Sequence, residues 1–123
     1  MGTDLSRLVD RLRSLPEPRL TRLDDRLGGR SIATASHEFA QWCGEAAAGA
    51  ASGEVAAAPE VPTVPRLAEL ATGDQVQVLG QELIAVLTTM DPAAPVWLGG
   101  TRLPASQVST ELRERIEFLR SVV

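Results

Sequence analysis

One histidine and one cysteine carry most of the chemistry that this chain's side chains could perform. His37 opens the run His37-Glu38-Phe39-Ala40-Gln41, which imitates the zinc-protease helix HExxH but has glutamine where the second histidine would stand. Two imidazoles at positions i and i+4 clamp zinc on one helix face, and glutamine is a poor substitute ligand. The pattern therefore predicts a solvated His37, no metal site and no bound cofactor.

The cysteine is equally isolated. Cys43 falls one turn after Phe39, on the apolar side of the same predicted helix. A thiol nucleophile needs a base beside it, and His37 lies six residues earlier, about 240° around the helix. We therefore expect Cys43 to be buried and inert. His37 could also act as the base for a serine, but no G-x-S-x-G turn exists to expose one. The sequence predicts no catalytic residue and a protein that is not an enzyme.

Two segments could bind anions or DNA. The run Gly28-Gly29-Arg30-Ser31 precedes a predicted helix, whose free N–H groups could hold a phosphate, but it lacks both nucleotide-binding spacings. The stretch from Leu20 to Trp42 loosely matches a DNA-binding helix-turn-helix. Its second helix carries no arginine to place on phosphates or guanine edges. The simpler explanation of Gly28 and Gly29 is that they end one helix before the next begins.

Composition restricts the partners and the compartment. All twelve basic residues are arginine and the net charge is −4, which argues against a general nucleic-acid binder. Arginine without lysine, beside abundant alanine and glycine, is typical of a GC-rich bacterial genome. A single cysteine cannot form an intramolecular disulfide, and no secretory signal or membrane-length apolar run of ~20 residues is visible. We expect a soluble cytoplasmic protein with no membrane partner.

Apolar residues recur at helical spacing along most of the chain, which predicts an all-α bundle of five to six short helices. Ser31 is the expected N-cap of the third helix, and Gly80 interrupts the best apolar stripe, where another helix should approach closely. In the last helix the i, i+4 spacing predicts ion pairs Glu111–Arg115 and Arg113–Glu117. The predicted helices cover residues 4–15, 18–27, 32–46, 66–71, 74–90 and 108–123.

Two segments break the helical pattern. Residues at about 50–64 are rich in alanine, glycine and proline, which predicts a flexible connection inside a single domain spanning 1–123. Residues 92–104 form an irregular arm in which Gly99-Gly100 could close a two-residue hairpin turn. The arm carries Trp97, Leu98 and Arg102, and tryptophan and arginine are enriched in binding hot spots. These three are the predicted protein-interaction residues; the alternative is that Trp97 folds back and plugs the bundle.

These observations favour a small non-enzymatic protein-interaction module. It would associate with itself, as a homodimer for example, or dock a larger protein partner, through leucine stripes or the arm at 92–104. One alternative is a helical bundle that binds a small apolar ligand in its core. The other is a helix-turn-helix DNA-binding regulator.

Overall fold

Helices dominate the fold. The computed structural model describes residues 1–65 and 71–123. Its helices are α1 (Gly2–Ser14), α2 (Glu17–Thr21), α3 (Ile32–Ala51), α4 (Thr72–Thr89) and α5 (Ala105–Val122), with a short 3-10 turn at Asp25–Leu27. Two antiparallel ladders accompany them: β1 (Leu23–Asp24) with β2 (Arg30–Ser31), and β3 (Pro95–Leu98) with β4 (Thr101–Pro104). The predicted helical bundle is confirmed in part, because the two small sheets make the fold not purely all-α. Of the helix predicted at 66–71, all but the last residue lies outside the described residues.

Helix α4 packs against both α3 and α1, and α5 packs against α1 and α3. The apolar stripes of α1, α4 and α5 are buried within the chain, as their recurrence every three or four residues predicts. The close approach predicted at Gly80 is confirmed: a Cβ placed there would lie 2.8 and 2.9 Å from the two terminal methyl groups of Leu5 in α1. The buried stripes comprise Leu5, Leu8, Val9 and Leu12; Val76, Leu83 and Leu87; and Val108, Leu112, Ile116 and Leu119.

The helix predicted at 18–27 is wrong beyond Thr21. The Asp24 side chain accepts a hydrogen bond from the Arg26 backbone N–H at 2.8 Å, and such local bonds compete with the helical ladder. The side-chain hydrogen bond from Arg26 also lowers the pKa of Asp24 to about 2. The chain then turns back, and Leu23 pairs with Ser31 in the β1–β2 ladder. Leu23, which the helical pattern would bury, is consequently 71% exposed.

Helix α3 is longer than its sequence pattern predicts. It starts as expected, because the Ser31 side chain accepts a hydrogen bond from the Thr34 N–H at 3.1 Å. It continues to Ala51, into the region expected to be a flexible connection. Residues 52–65 contain no helix or strand. The side-chain amide of Gln41 nevertheless anchors them with two hydrogen bonds, since it donates to the Pro62 carbonyl at 2.6 Å and accepts from the Val64 N–H at 2.8 Å.

Strand β3 lies against two glycines, Gly49 in the last turn of α3 and Gly53 in the turn that follows the helix. A Cβ on Gly49 would collide with the carbonyl oxygen of Trp97, and one on Gly53 with the carbonyl oxygen of Pro95. Packing against β3 explains why the end of α3 is ordered, although its alanine and glycine residues are too small to form a core by themselves.

On α5, one of the two predicted ion pairs forms. Arg115 meets Glu111 at 3.0 Å, as the i, i+4 spacing predicts. The predicted Arg113–Glu117 pair is wrong, since neither side chain has an ion-pair partner in the two described ranges. Both side chains are exposed, where such a pair would contribute little stability against its loss of side-chain freedom.

Two buried serines of the α3 region should respond in opposite directions to alanine. The Ser36 hydroxyl is fully buried with no hydrogen-bond partner among the described residues. Ser36→Ala should raise the free energy of unfolding by about 1 kcal/mol, because it removes an unsatisfied polar group and improves helix propensity. Ser31→Ala should lower it by about 1 kcal/mol through loss of the cap. Urea denaturation measures both, and a loss of stability at Ser36→Ala would contradict the prediction.

Candidate functional site

His37 contacts its own chain instead of standing free in solvent. The ring is half-buried, and Nε2 lies 3.0 Å from the carbonyl oxygen of Val64. A carbonyl oxygen only accepts, so Nε2 must carry the proton and donate it. The prediction of a solvated His37 is therefore wrong in part. The reason is that residues 52–65 fold back over this side of α3, which no local pattern shows.

Cys43 is buried, as predicted. Desolvation raises the pKa of its thiol to about 12, and the nearby positive charge of Arg115 offsets this only partly. The thiol is therefore fully protonated at neutral pH and is a poor nucleophile. Across residues 1–65 and 71–123, no group of three or more His, Cys, Asp or Glu side chains is arranged to hold a metal ion.

The arm at 92–104 forms the predicted hairpin. Gly99 and Gly100 have φ values of 63° and 80°, which is the backbone of the two-residue turn that favours glycine at both positions. Trp97 is half-buried: its indole N–H donates to the Val55 carbonyl at 3.0 Å, and the Arg102 guanidinium carbon lies 4.8 Å from the ring centre. Arg102 is exposed and also donates to the Val55 carbonyl. The hairpin thus brings Trp97 and Arg102 together.

Leu98 does not join them. Alternate side chains of β3 point to opposite faces, and Leu98 is buried with Val96 in the core. Of the three predicted interaction residues, only Trp97 and Arg102 lie at the surface, where part of the tryptophan is already covered by residues 52–65. Their role in binding stays a prediction.

A groove between α3 and α5 is the more complete candidate surface, and the sequence analysis missed it. Its most accessible apolar side chain is Phe118, which is 48% exposed. The floor consists of Ala35, Phe39 and Leu119, and the cavity has a volume of about 320 Å³. One signal was available: Phe118 is an aromatic residue that falls off the α5 stripe, between Ile116 and Leu119. We call this surface the Phe118 groove; its charged walls are Arg30, Glu38, Glu111, Glu114 and Arg115.

The groove walls are held in place by pairing and stacking. Arg115 bonds to Glu111 and places its guanidinium carbon 4.6 Å from the ring centre of Trp42, an arrangement that stabilises a cation over an aromatic face. On the opposite wall Arg30 pairs with Glu38. Glu114 differs, because it forms no ion pair with any residue that the structure describes. The groove therefore combines an apolar floor, fixed walls and one unpaired anion.

A second groove, between α1 and α5, has a larger cavity of about 680 Å³ but different chemistry. Its lining is polar, and two of its arginines are already bound: Arg11 donates to the Val123 carbonyl, and Arg120 pairs with Asp4 at 2.8 Å. All of its lining residues are charged or serine, so it lacks the apolar centre that is typical of protein interfaces. Its lining residues are Arg7, Asp10, Arg11, Ser14, Glu117, Arg120 and Ser121.

Comparison with known proteins adds no family. The chain matches no protein-family model, no curated protein and no solved structure. Within the described ranges, none of the helices has the length and apolar character needed to cross a membrane. Function is therefore inferred from the chain's own surface.

Proposed function

We propose that this protein is a non-enzymatic protein-interaction module that docks its partner at the Phe118 groove. The observation that carries the proposal is the half-exposed ring of Phe118 beside an apolar floor. A fully buried aromatic side chain removes about 150–250 Å² of surface from water, which is among the largest areas that a single residue buries in an interface. Phe118 is 48% exposed, so about half of this area lies in water, which is unfavourable unless something covers it.

The surroundings of Phe118 support the proposal. Interfaces place aromatic and aliphatic groups at the centre and charged groups at the rim, and arginine is enriched there. The Phe118 groove has this arrangement, with Phe39 and Leu119 beneath and charged side chains around. The rim charges are mostly paired already, so a partner would not have to neutralise a strong field of one sign.

The alternative functions receive less support from the same residues. The helix-turn-helix interpretation needs a helix before Gly28, and that segment forms β1 and a 3-10 turn instead. A small apolar ligand would need an enclosed cavity, whereas the two largest grooves described above lie between helices at the surface and carry charged walls. The hairpin residues Trp97 and Arg102 stay a second predicted contact surface of the same module.

Site-specific photocrosslinking tests the proposal. A benzoylphenylalanine at position 118 should capture a protein in the cells that produce the chain, because the groove places a partner against this ring. The matched control carries the same group at Val78 on α4, which is 63% exposed and lines neither of the two grooves described above. A third variant carries benzoylphenylalanine in place of Trp97 and tests whether the hairpin contacts a partner. Equal adduct yields at positions 118 and 78 would contradict docking at the groove.

A further inference from the structure

The segment that follows α3 carries two Xaa-Pro dipeptides in quick succession. They are Ala58-Pro59 and Val61-Pro62, with Glu60 between them. Each proline fixes its own φ at about −65°, and the residue before each proline is confined to extended or polyproline II backbone. Four of these five residues are therefore restricted in this way, and none of the five belongs to a helix or strand. A polyproline II helix has about three residues per turn, so in that backbone the two dipeptides lie on the same side, about 9 Å apart.

Side chains from the helices and the hairpin hold this segment on both sides of the dipeptides. Before them, the Val55 carbonyl accepts hydrogen bonds from the indole N–H of Trp97 at 3.0 Å and from Arg102. From Pro62 onward, three carbonyls accept hydrogen bonds from α3 and α4: Pro62 from Gln41 at 2.6 Å, Val64 from His37 at 3.0 Å and Pro65 from Gln75 at 2.7 Å. The dipeptides are thus ordered before a partner arrives, which reduces the conformational entropy that binding costs.

The two dipeptides are displayed at the surface. Val61 is 48% exposed, Ala58 and Pro62 are also exposed, and Pro59 is half-buried. The backbone carbonyls of residues 59–61 accept no hydrogen bond from any residue that the structure describes. A partner can therefore reach both the apolar side chains and the free carbonyls of this turn.

We propose that residues 58–62 form a docking motif for a partner protein whose groove is lined by aromatic side chains. Grooves of this kind, as in SH3 domains, bind Pro-x-x-Pro segments in the polyproline II conformation, because that helix is already extended and loses little entropy on binding. Each of the two dipeptides fills one pocket of such a groove. The motif is separate from the Phe118 groove, and the inference goes beyond the proposed function without depending on it.

The surroundings of the motif define the partner further. Glu60 is exposed and forms no ion pair within the two described ranges. The partner groove is therefore expected to carry a basic residue at its rim, because complementary charge favours the correct partner and like charge excludes others. Pro59 and Val61 border the same small cleft as Trp97. A partner that binds the motif consequently lies beside this residue of the hairpin.

Binding of the full chain to a panel of purified SH3 and WW domains, with acidic and with basic groove rims, tests the proposal by biolayer interferometry. Wild type should bind at least one basic-rimmed domain with a Kd of about 100 μM or tighter, and Pro62→Ala should weaken that binding by about tenfold. The matched control is Pro65→Ala, the same substitution in the same segment. The residue before Pro65 is the buried Val64, so this dipeptide is inaccessible and binding should not change.

Glu60→Arg gives a second arm that leaves both prolines in place. It should weaken binding to basic-rimmed domains and strengthen binding to acidic-rimmed ones. Thermal melting of every variant should match wild type, because the replaced side chains are exposed. Binding of wild type to no domain of the panel, or equal binding by Pro62→Ala and Pro65→Ala, would overturn the proposal and leave docking at the Phe118 groove standing. Loss of binding in Phe118→Ala would also overturn it, since the domain would then occupy the groove.

Discussion

Gly49→Ala should lower the free energy of unfolding by about 3 kcal/mol, the upper end of the usual cost of overpacking. The added Cβ would collide with the carbonyl oxygen of Trp97 and would lie 2.6 Å from its carbonyl carbon and 3.0 Å from its nitrogen. These are backbone atoms of β3, held by the ladder with β4, so no flexible side chain can move aside. We therefore expect the hairpin to shift away from α3.

Gly44→Ala is the matched control in the same helix. A Cβ at Gly44 would meet only side-chain atoms at 3.6–3.9 Å, which is ordinary van der Waals contact. The change should therefore raise stability by up to about 1 kcal/mol through helix propensity alone. Urea denaturation of both variants measures the contrast. If Gly49→Ala proved as stable as Gly44→Ala, β3 would not lie on the helix as described.

Between pH 9 and pH 12 the wild-type chain should lose stability far more steeply than Cys43→Ala. Burial raises the pKa of the Cys43 thiol from 9.0 to about 12. Below pH 9 both the folded and the unfolded chain keep this proton. Above it the unfolded chain releases the proton while the folded chain retains it, so unfolding becomes progressively more favourable. A pKa difference of about three corresponds to about 4 kcal/mol by pH 12, and to about 1.4 kcal/mol at pH 10.

The composition makes this measurement unusually clean. The chain contains neither lysine nor tyrosine, so no other side chain is expected to titrate in the same range of pH. Chemical denaturation at several pH values gives the two slopes, and the constant cost of the Cys43→Ala cavity cancels when slopes are compared. Parallel curves for the two chains would contradict a buried thiol.

The sequence predicted the elements that depend on local spacing. The stripes of α1, α4 and α5, the Ser31 cap and the Gly99-Gly100 turn are each encoded within a few residues, and each forms. Gly80 was also predictable, because a glycine in the middle of a strong apolar stripe costs about 1 kcal/mol and needs a compensating contact. The structure supplies that contact through Leu5.

The errors occur where distant residues decide the outcome. Helix α3 reaches Ala51 because β3, more than forty residues later, packs on Gly49 and on Gly53 just beyond the helix. His37 is covered by Val64, which local periodicity cannot place. The Phe118 groove forms only when α3 and α5 lie side by side, so its lining residues are scattered from Arg30 to Leu119 in the sequence. Leu23 shows the converse, since a local side-chain bond at Asp24 overrides a helical pattern that continues past it.

The packing of β3 against Gly49 and Gly53 also has a consequence for aggregation. An isolated two-stranded hairpin presents two rows of unpaired backbone groups, and such edges recruit strands from other molecules. Here the outer edge of β3 is covered by the end of α3 and the turn after it, because Gly49 and Gly53 let the backbone approach the Trp97 and Pro95 carbonyls. The other edge belongs to β4, which has four residues and ends at Pro104, a residue with no N–H to offer. The alanine- and glycine-rich end of α3 thereby covers the β3 edge that would otherwise be open to a strand from another molecule.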